Sequence, residues 1–164
     1  MEVVLCRSFC ARRRRFDLIR DSGGAGEFRG GLGVAREYES LQDTRFTFRF
    51  SKHVIPPSGV QGGRPGRVGT LVINPGTARE DRRPIRYSDY SLPLGDVFRV
   101  ESPGGGGLGD PKKRDPEKVL WDVLNGYISE DQALELYGVV FRRDGNTLTV
   151  DLDSTAGLRE SQTS

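Results

Sequence analysis

The feature that most constrains this chain is a glycine-rich stretch that runs from Asp21 to Gly33. Six of its thirteen residues are glycine, and an acid, a hydroxyl and an arginine lie among them. Glycine is used this densely where the backbone must take a positive φ or approach another surface closely. A second glycine cluster follows at residues 103–111. The two clusters predict a fold in which backbones pack directly against one another.

The composition predicts a loop-rich globular domain. The chain has 164 residues, of which 35% are hydrophobic, 22 are glycine and 9 are proline. This length is sufficient for one domain with its own core. The glycine and proline content is high but below the level typical of low-complexity sequence. No run of apolar residues approaches the length that a membrane-spanning helix needs, so we expect no membrane association.

The charged residues do not indicate a nucleic-acid-binding protein overall, because the net charge is only +2. The basic character is local, in the run Arg12–Arg15 and in a looser group at residues 79–86. Four consecutive arginines could contact phosphates or act as a localisation signal. The simpler interpretation is a solvated terminal segment.

Two cysteines, Cys6 and Cys10, are too few for a disulfide scaffold. Their spacing would suit one half of a metal site, but no second Cys or His pair completes it. We therefore expect reduced thiols and a cytoplasmic location.

Alternation and turn residues predict several strands, at residues 16–22, 34–41, 44–50, 68–73 and 96–102. The segment 44–50 alternates strictly, with Phe46, Phe48 and Phe50 on one face. We expect it to pair with 34–41 as a hairpin. Prolines and glycines interrupt residues 51–67, where no regular element is expected.

The last third of the chain predicts two short helices. Asp115 followed by Pro116 is typical of a helix start, and Gly126 of a stop. Ser129 with Gln132 forms a capping box for a second helix, which ends at Gly138. Residues 139–151 predict a terminal hairpin. The fold class is thus mainly β (α+β), with residues 1–15 a disordered segment, 16–155 a glycine-rich antiparallel domain, and 156–164 a frayed polar tail.

The residues by themselves specify no complete active site. Leu32 stands where a phosphate-binding loop needs lysine, and no dinucleotide-binding fingerprint is present. His53, the single histidine, could act as a general base, but a structural role is more typical. No spacing specifies a metal site.

Five residues are candidates for holding loops or lining a site. Asp21 and Ser22 could cap exposed backbone N–H groups, and Arg29 could bind a carboxylate in a bidentate contact. Asp110 could ligate a metal or, more simply, cap a chain reversal. Arg64 lies in the proline- and glycine-rich loop, and none of the five is assigned a chemical step.

From Phe16 onward the motifs resemble the C-terminal portion of the hydantoinase B family, which includes 5-oxoprolinases and acetone carboxylases. The resemblance rests on six segments in order: D-S-G-G-A-G and R-G-G-L-G in 21–33, the Pro-Pro to Gly-Gly-Arg-Pro-Gly loop of 56–66, L-V-I-N-P-G in 71–76, G-D-V in 95–97, P-G-G-G-G-L-G-D-P in 103–111, and the closing helices of 115–140.

This resemblance implies a part in an ATP-dependent cyclic amidohydrolase that acts on lactam or hydantoin C–N bonds. In such enzymes an A-type subunit binds ATP and phosphorylates a carbonyl or lactam oxygen, and the B part completes hydrolysis, or carboxylation of a ketone. An unstrained lactam is a poor electrophile, and phosphorylation provides a better leaving group. A divalent metal in the B part is expected to supply activated water.

The family's His- and Asp-containing metal site lies in an N-terminal portion that this sequence does not contain. The resemblance therefore implies that this chain itself holds no cofactor and is inactive alone. Its expected partners are an A-type ATP-binding subunit or the missing N-terminal B portion. The alternative is a non-catalytic interaction or vestigial module, which predicts exposed apolar surface. The substrate stays open among hydantoins, 5-oxoproline, other lactams and ketones.

Overall fold

The computed structural model describes residues 4–5, 11–49, 51–83 and 86–161. The chain divides into two compact units, each assembled from three separate segments of sequence. The first unit contains Met1–Ile19, Gly33–Pro56 and Val68–Pro103. The second contains Arg20–Leu32, Pro57–Arg67 and Gly104–Ser164.

The first unit is built from antiparallel strands. They are β1 (Val4–Leu5), β2 (Ala11–Leu18), β3 (Val34–Ser40), β4 (Thr44–Arg49), β5 (Thr70–Ile73), β6 (Asp81–Arg83), β7 (Arg86–Leu92) and β8 (Val97–Glu101). Six of them form one sheet in the order β1-β2-β3-β8-β5-β6, and β4 pairs separately with β7.

The core of the first unit lies against one face of the six-stranded sheet. Phe98 on β8 stands opposite Tyr38 on β3 and Ile73 on β5, so the three side chains share that face. Phe46 and Phe48 of β4 pack onto it, with ring centroids 5.0 Å and 5.3 Å from that of Phe98. The prediction of β4 and of its buried aromatic face, which rested on the alternation in residues 44–50, is therefore confirmed.

The predicted partner of β4 is wrong. We expected β4 to pair with β3, but β3 already has β2 on one edge and β8 on the other. No edge of β3 remains for a third strand, and β4 pairs instead with β7. Phe50, the third aromatic of the predicted alternation, lies outside the described residues.

Strand β2 begins earlier in the chain than we expected. Residues 11–15, interpreted from sequence as part of a disordered segment, form the first five of the eight residues of β2. The neighbouring strand β3 supplies the physical reason, because its acids face the arginines: Arg12 stands opposite Glu39, and Arg15 opposite Glu37. Cys6 and Cys10 lie outside the described residues.

The second unit contains three glycine-rich segments, 22–31, 57–67 and 104–109, which we call the glycine bundle. The first and third are joined by Gly24 N–H to Gly105 O (2.8 Å). Arg64 links all three, since its N–H donates to Ala25 O (2.7 Å) and its carbonyl accepts from Gly107 N (2.9 Å). Each segment therefore hydrogen-bonds to both others, which the outer strands of a flat three-stranded sheet cannot do.

Glycine is required in this bundle because the backbones touch. A Cβ on Gly104 would lie 1.8 Å from the carbonyl oxygen of Ser22, and one on Gly30 would lie 2.1 Å from that of Gly105. The arrangement follows the logic of the collagen axis, where only glycine fits. This confirms the close backbone contacts predicted from the two glycine clusters.

The remaining elements of the second unit follow the bundle. They are a 3₁₀ helix (Pro111–Lys113), α1 (Pro116–Leu124), α2 (Glu130–Tyr137), β9 (Phe141–Asp144), β10 (Thr147–Val150) and α3 (Leu152–Ser161). The predicted caps are confirmed: Asp115 accepts from Glu117 N, Ser129 Oγ accepts from Gln132 N, and Gly138 takes φ 61° at the end of α2. The predicted β9–β10 hairpin is also present.

A third helix replaces the frayed tail that the sequence suggested. Helix α3 spans Leu152–Ser161, beginning where the Asp151 carboxylate accepts from Ser154 N (3.1 Å). Thr155 is buried and its hydroxyl accepts from Val140 N (3.0 Å). Arg159 donates to the carbonyl of Tyr137 (3.0 Å). Polar contacts, not an apolar stripe, hold this helix. With helix α3 included, the fold is still mainly β with α+β character, as predicted.

Candidate functional site

All five candidate residues lie in the second unit, on or beside the glycine bundle. Asp21 and Ser22 open the first glycine segment, where Ser22 is buried. Asp21 has a φ of 61°, and its carboxylate accepts from Ser129 N at 2.7 Å. Its own N–H donates to the carbonyl of Tyr127 (3.0 Å). Asp21 thus fixes the start of the bundle to the start of α2, which confirms its predicted capping role.

Arg64 and Asp110 hold the other two segments in different ways. The Arg64 side chain is exposed, and the residue acts through its backbone, which bonds both other segments of the bundle. Asp110 directly follows the third segment and caps the 3₁₀ helix, its carboxylate accepting from Lys112 N at 2.9 Å. Of the two roles suggested for Asp110, the structure shows the chain-reversal cap.

Arg29 forms the predicted bidentate contact with a carboxylate, that of Asp122 on α1. Its Nε and Nη2 donate to the two Asp122 oxygens at 3.1 Å and 3.2 Å. Arg114 donates a third bond to the same carboxylate, at 2.9 Å. Asp122 is 0% exposed, and both guanidiniums are largely buried. We call Arg29, Asp122 and Arg114 the buried ion triad.

The triad also secures backbone carbonyls of the first glycine segment. Arg29 Nη1 donates to Gly30 O (2.9 Å), and Arg114 Nη1 donates to Glu27 O (3.0 Å). The Arg29 guanidinium lies 5.3 Å from the centroid of the Tyr127 ring. The arginines therefore bind the peptide groups of the bundle and a helix carboxylate together.

Tyr137 is buried in the same unit. Burial raises the pKa of its phenol to about 12, although the nearby Arg114 charge acts in the opposite direction. The phenol is therefore neutral at pH 7 and can donate a hydrogen bond but not act as a phenolate base.

Sequence reasoning missed Asp122 and Arg114 as the partners of Arg29 in the buried ion triad. One signal was available. Asp122 is spaced three residues after Val119 and directly before Val123, which puts a carboxylate on the apolar stripe of α1. A buried carboxylate requires cationic or hydrogen-bonding partners. The pattern predicts that such partners exist but not which arginines supply them.

The described residues do not fit a divalent metal. Among residues 4–5, 11–49, 51–83 and 86–161, no group of three or more His, Cys, Asp or Glu side chains is placed to hold one. The oxygens of the buried Asp122 accept three guanidinium bonds. Asp21 and Asp110 accept backbone N–H groups. His53 lies in the first unit, in the irregular loop after β4.

Comparison with protein families identifies the chain's relatives. Residues 4–111 match the family described as hydantoinase B/oxoprolinase. This chain belongs to that family. The match begins at residue 4, earlier than the Phe16 start suggested by the motifs, in agreement with the strand that residues 11–15 form.

The caprolactamase of Pseudomonas jessenii resembles the chain in sequence and in fold. The chain is 38% identical over 137 residues to the caprolactamase subunit beta of Pseudomonas jessenii. This match covers 80% of this chain and 23% of that protein. The crystal structure of the ATP-dependent caprolactamase from this organism aligns with a TM-score of 0.74 and 31% identity, covering 92% of this chain and 26% of that one.

An acetone carboxylase structure shares the fold. This structure, of an acetone carboxylase in its nucleotide-free form, aligns with a TM-score of 0.79 at 22% identity, covering 93% of this chain and 25% of that one. The chain therefore spans about a quarter of the length of these relatives. None of the helices in the described part of the chain has the length and the apolar character of a membrane span.

Proposed function

We propose that this chain is the C-terminal part of a B-type subunit in an ATP-dependent enzyme that hydrolyses the C–N bond of a lactam or hydantoin. The observation that carries the proposal is the 38% identity with caprolactamase subunit beta. The family match over residues 4–111 supports it. We further propose that the complete enzyme works in the cytoplasm.

In this proposal the second unit shapes one wall of the active site. Asp21, Ser22, Arg29, Arg64 and Asp110 hold its loops. The contacts of Asp21 and Arg29 support this role, since both side chains bind the first glycine segment to helix residues. A wall built on directly touching backbones holds its groups closely in place. None of the five residues is assigned a proton transfer or a bond-forming step.

We propose that ATP and the divalent metal of the complete enzyme bind outside this chain. The A-type subunit would take ATP, and the N-terminal portion of the B subunit would take the metal. When bound, such a metal would supply activated water for attack on the phosphorylated amide. The donor sets of the present chain favour this division, because Asp122 is already neutralised by two guanidiniums.

A second candidate function is a non-catalytic docking module. The observation that favours it is the number of large apolar side chains left exposed, including Val54, Ile55, Trp121 and Leu124. Such surface is typical of interaction sites. This module would stabilise a full-length subunit without lining its active site.

A chimeric subunit tests the proposed function. The matching segment of the Pseudomonas jessenii caprolactamase subunit beta is replaced by this chain, and the chimera is assembled with its partner subunit. We expect ATP-dependent hydrolysis of caprolactam, above that of the subunit lacking the segment. Within the chimera, Arg64→Ala and Asp110→Ala should lower kcat. Arg64→Ala should leave the stability unchanged, because the bundle hydrogen bonds of Arg64 are made by its backbone.

Two results would separate the alternatives. A folded, assembled chimera without hydrolysis would contradict the enzyme proposal and favour the docking module. An active chimera in which both alanine variants keep full kcat would show that these two residues do not line the site. Lys118→Ala is the control, because Lys118 is exposed on α1, outside the glycine bundle.

A further inference from the structure

The six-stranded sheet of the first unit has one face that is only half covered. On this face, the residues of β5 and Phe98 at the start of β8 pack against β4 and β7. The other half, formed by β2 and the start of β3, has no such layer among the described residues. Phe16 and Leu18 remain 53% and 54% exposed there.

The strand register defines which side chains belong to this uncovered half. Phe16 stands opposite Arg36, Leu18 opposite Val34, and Arg36 opposite Val100. Directly opposite residues share a face of the sheet. Arg13 joins the group, because its guanidinium lies 5.4 Å from the centroid of the Phe16 ring. We call this set the open face: Arg13, Phe16, Leu18, Val34 and Arg36. Val100 lies at its border, where it also packs against the cluster around Phe98.

The shape of the open face suits an inserted side chain. A concavity of about 220 Å³ opens beside it, lined in part by Val34, Arg36 and Val100. The apolar floor and this depression together form a surface that can be filled by bulky apolar groups. An exposed apolar patch bordered by polar groups is typical of a protein interface.

The charges of the open face define the complementary partner. The Arg36 guanidinium also stacks 5.4 Å from the Phe16 centroid, so two cations border one aromatic ring. Neither arginine forms an ion pair with a carboxylate in the part of the chain that the structure describes. A surface that fits would present apolar side chains bordered by Asp or Glu.

We propose that the open face is the docking surface for the remainder of a hydantoinase B-type subunit, which contacts it through apolar side chains flanked by carboxylates. This inference rests on the proposed function, in which the chain is part of a longer subunit. The relatives support that occupant, because about three quarters of caprolactamase subunit beta lies outside the matched segment.

Thiol labelling in the chimeric caprolactamase subunit tests this surface. Leu18→Cys is made in the isolated full chain and in the assembled chimera, with Cys6 and Cys10 replaced by serine. We expect the introduced thiol to react with a maleimide about 100-fold more slowly in the chimera, since a docked surface must open before it reacts. The control is Leu94→Cys, 64% exposed in the turn before β8, which should react at similar rates in both.

The charge component has its own test. In the chimera carrying Leu18→Cys, Arg36→Glu should speed labelling about tenfold at low salt, and less at high salt, because repulsion replaces attraction at the docked surface. Arg45→Glu is the matched control, as it lies on β4 and pairs with Asp89. No change with Arg36→Glu would contradict the proposed carboxylate rim.

The outcomes separate the two proposals. Fast labelling of Leu18→Cys in an active chimera would overturn the docking surface and leave the proposed function standing. Slow labelling in an inactive chimera would support the surface and contradict the function. If the isolated chain instead forms a dimer that Phe16→Asp abolishes, and labelling in the chimera stays fast, the occupant is a second copy and the proposal is wrong.

Discussion

Replacing Gly30 by alanine should disrupt the glycine bundle, whereas replacing the adjacent Gly31 should not. A Cβ on Gly30 would lie 2.1 Å from the carbonyl oxygen of Gly105, and ordinary contact begins near 3.4 Å. Gly105 is held by Gly24 N–H on its carbonyl and by its own N–H on Gly31 O, both at 2.8 Å. Moving Gly105 out of contact breaks both hydrogen bonds.

The expected magnitude follows from those two bonds. Leaving a buried backbone group unpaired costs about 1–3 kcal/mol, and forced overpacking a similar amount. Gly30→Ala should therefore lower the free energy of unfolding by about 3 kcal/mol or more. A Cβ on Gly31 would meet no atom within 4 Å. Gly31→Ala should be neutral or stabilising by about 0.4–1 kcal/mol, because it restricts the unfolded chain.

Urea unfolding followed by tryptophan fluorescence measures this difference. The single tryptophan, Trp121, lies in α1 of the second unit and therefore reports on the unit that contains the bundle. Both variants are compared with the parent chain at equal m-values. Unfolding free energies that differ by less than about 1 kcal/mol between the two variants would refute the argument that touching backbones determine the stability of the bundle.

Three further predictions concern the buried groups of the second unit. Asp122→Ala should lower the free energy of unfolding, measured with urea, by about 3–5 kcal/mol, since it leaves two buried guanidiniums without their carboxylate. Glu135→Gln is the control: Glu135 is exposed, and its replacement should change that free energy little. The parent should lose stability as pH rises from about 10 to about 12, because the folded state favours the neutral phenol of Tyr137, whose pKa is raised to about 12. Tyr137→Phe should remove that loss in pH-dependent unfolding curves, and an unchanged loss would contradict the assignment. Arg159→Ala should cost about 2 kcal/mol by removing donors from two carbonyls, whereas Glu160→Ala should be neutral in thermal unfolding.

Elements with local signals could be predicted from the sequence. Helices α1 and α2 begin at Asp115 and Ser129, whose side chains cap the nearest backbone amides, and α2 ends at a left-handed glycine. All of these interactions span at most a few residues. The alternation in β4 likewise identified a strand and its buried face, because that pattern depends only on the strand itself.

Features that depend on distant partners could not be predicted in the same way. The partner of β4 is β7, about forty residues later, and its identity depends on both edges of β3 being occupied. The arginine run in β2 has the composition of a solvated tail, and only the acids of β3 opposite it indicate a strand. Helix α3 has no strong apolar stripe, so its contacts through Arg159 are invisible in its own sequence.

The candidate site was predicted in part. The sequence indicated that Arg29 would bind a carboxylate and that Asp21 and Asp110 would cap backbone groups, because those residue types satisfy such contacts. It did not identify Asp122 or Arg114, which lie about ninety residues from Arg29 along the chain. Whether the five residues line an active site stays a prediction.

The closed three-way pairing of the glycine bundle has a consequence for the order of folding. Its segments are separated by long stretches of chain, so two large loops must close before its hydrogen bonds can form. Contacts between distant residues slow folding. During synthesis, residues 22–31 and 57–67 leave the ribosome well before residues 104–109. Until then, the first two segments lack the hydrogen bonds that they form with the third. We therefore expect the bundle to form late, after the emergence of residue 109, and a nascent chain halted before that point to expose unpaired glycine backbone.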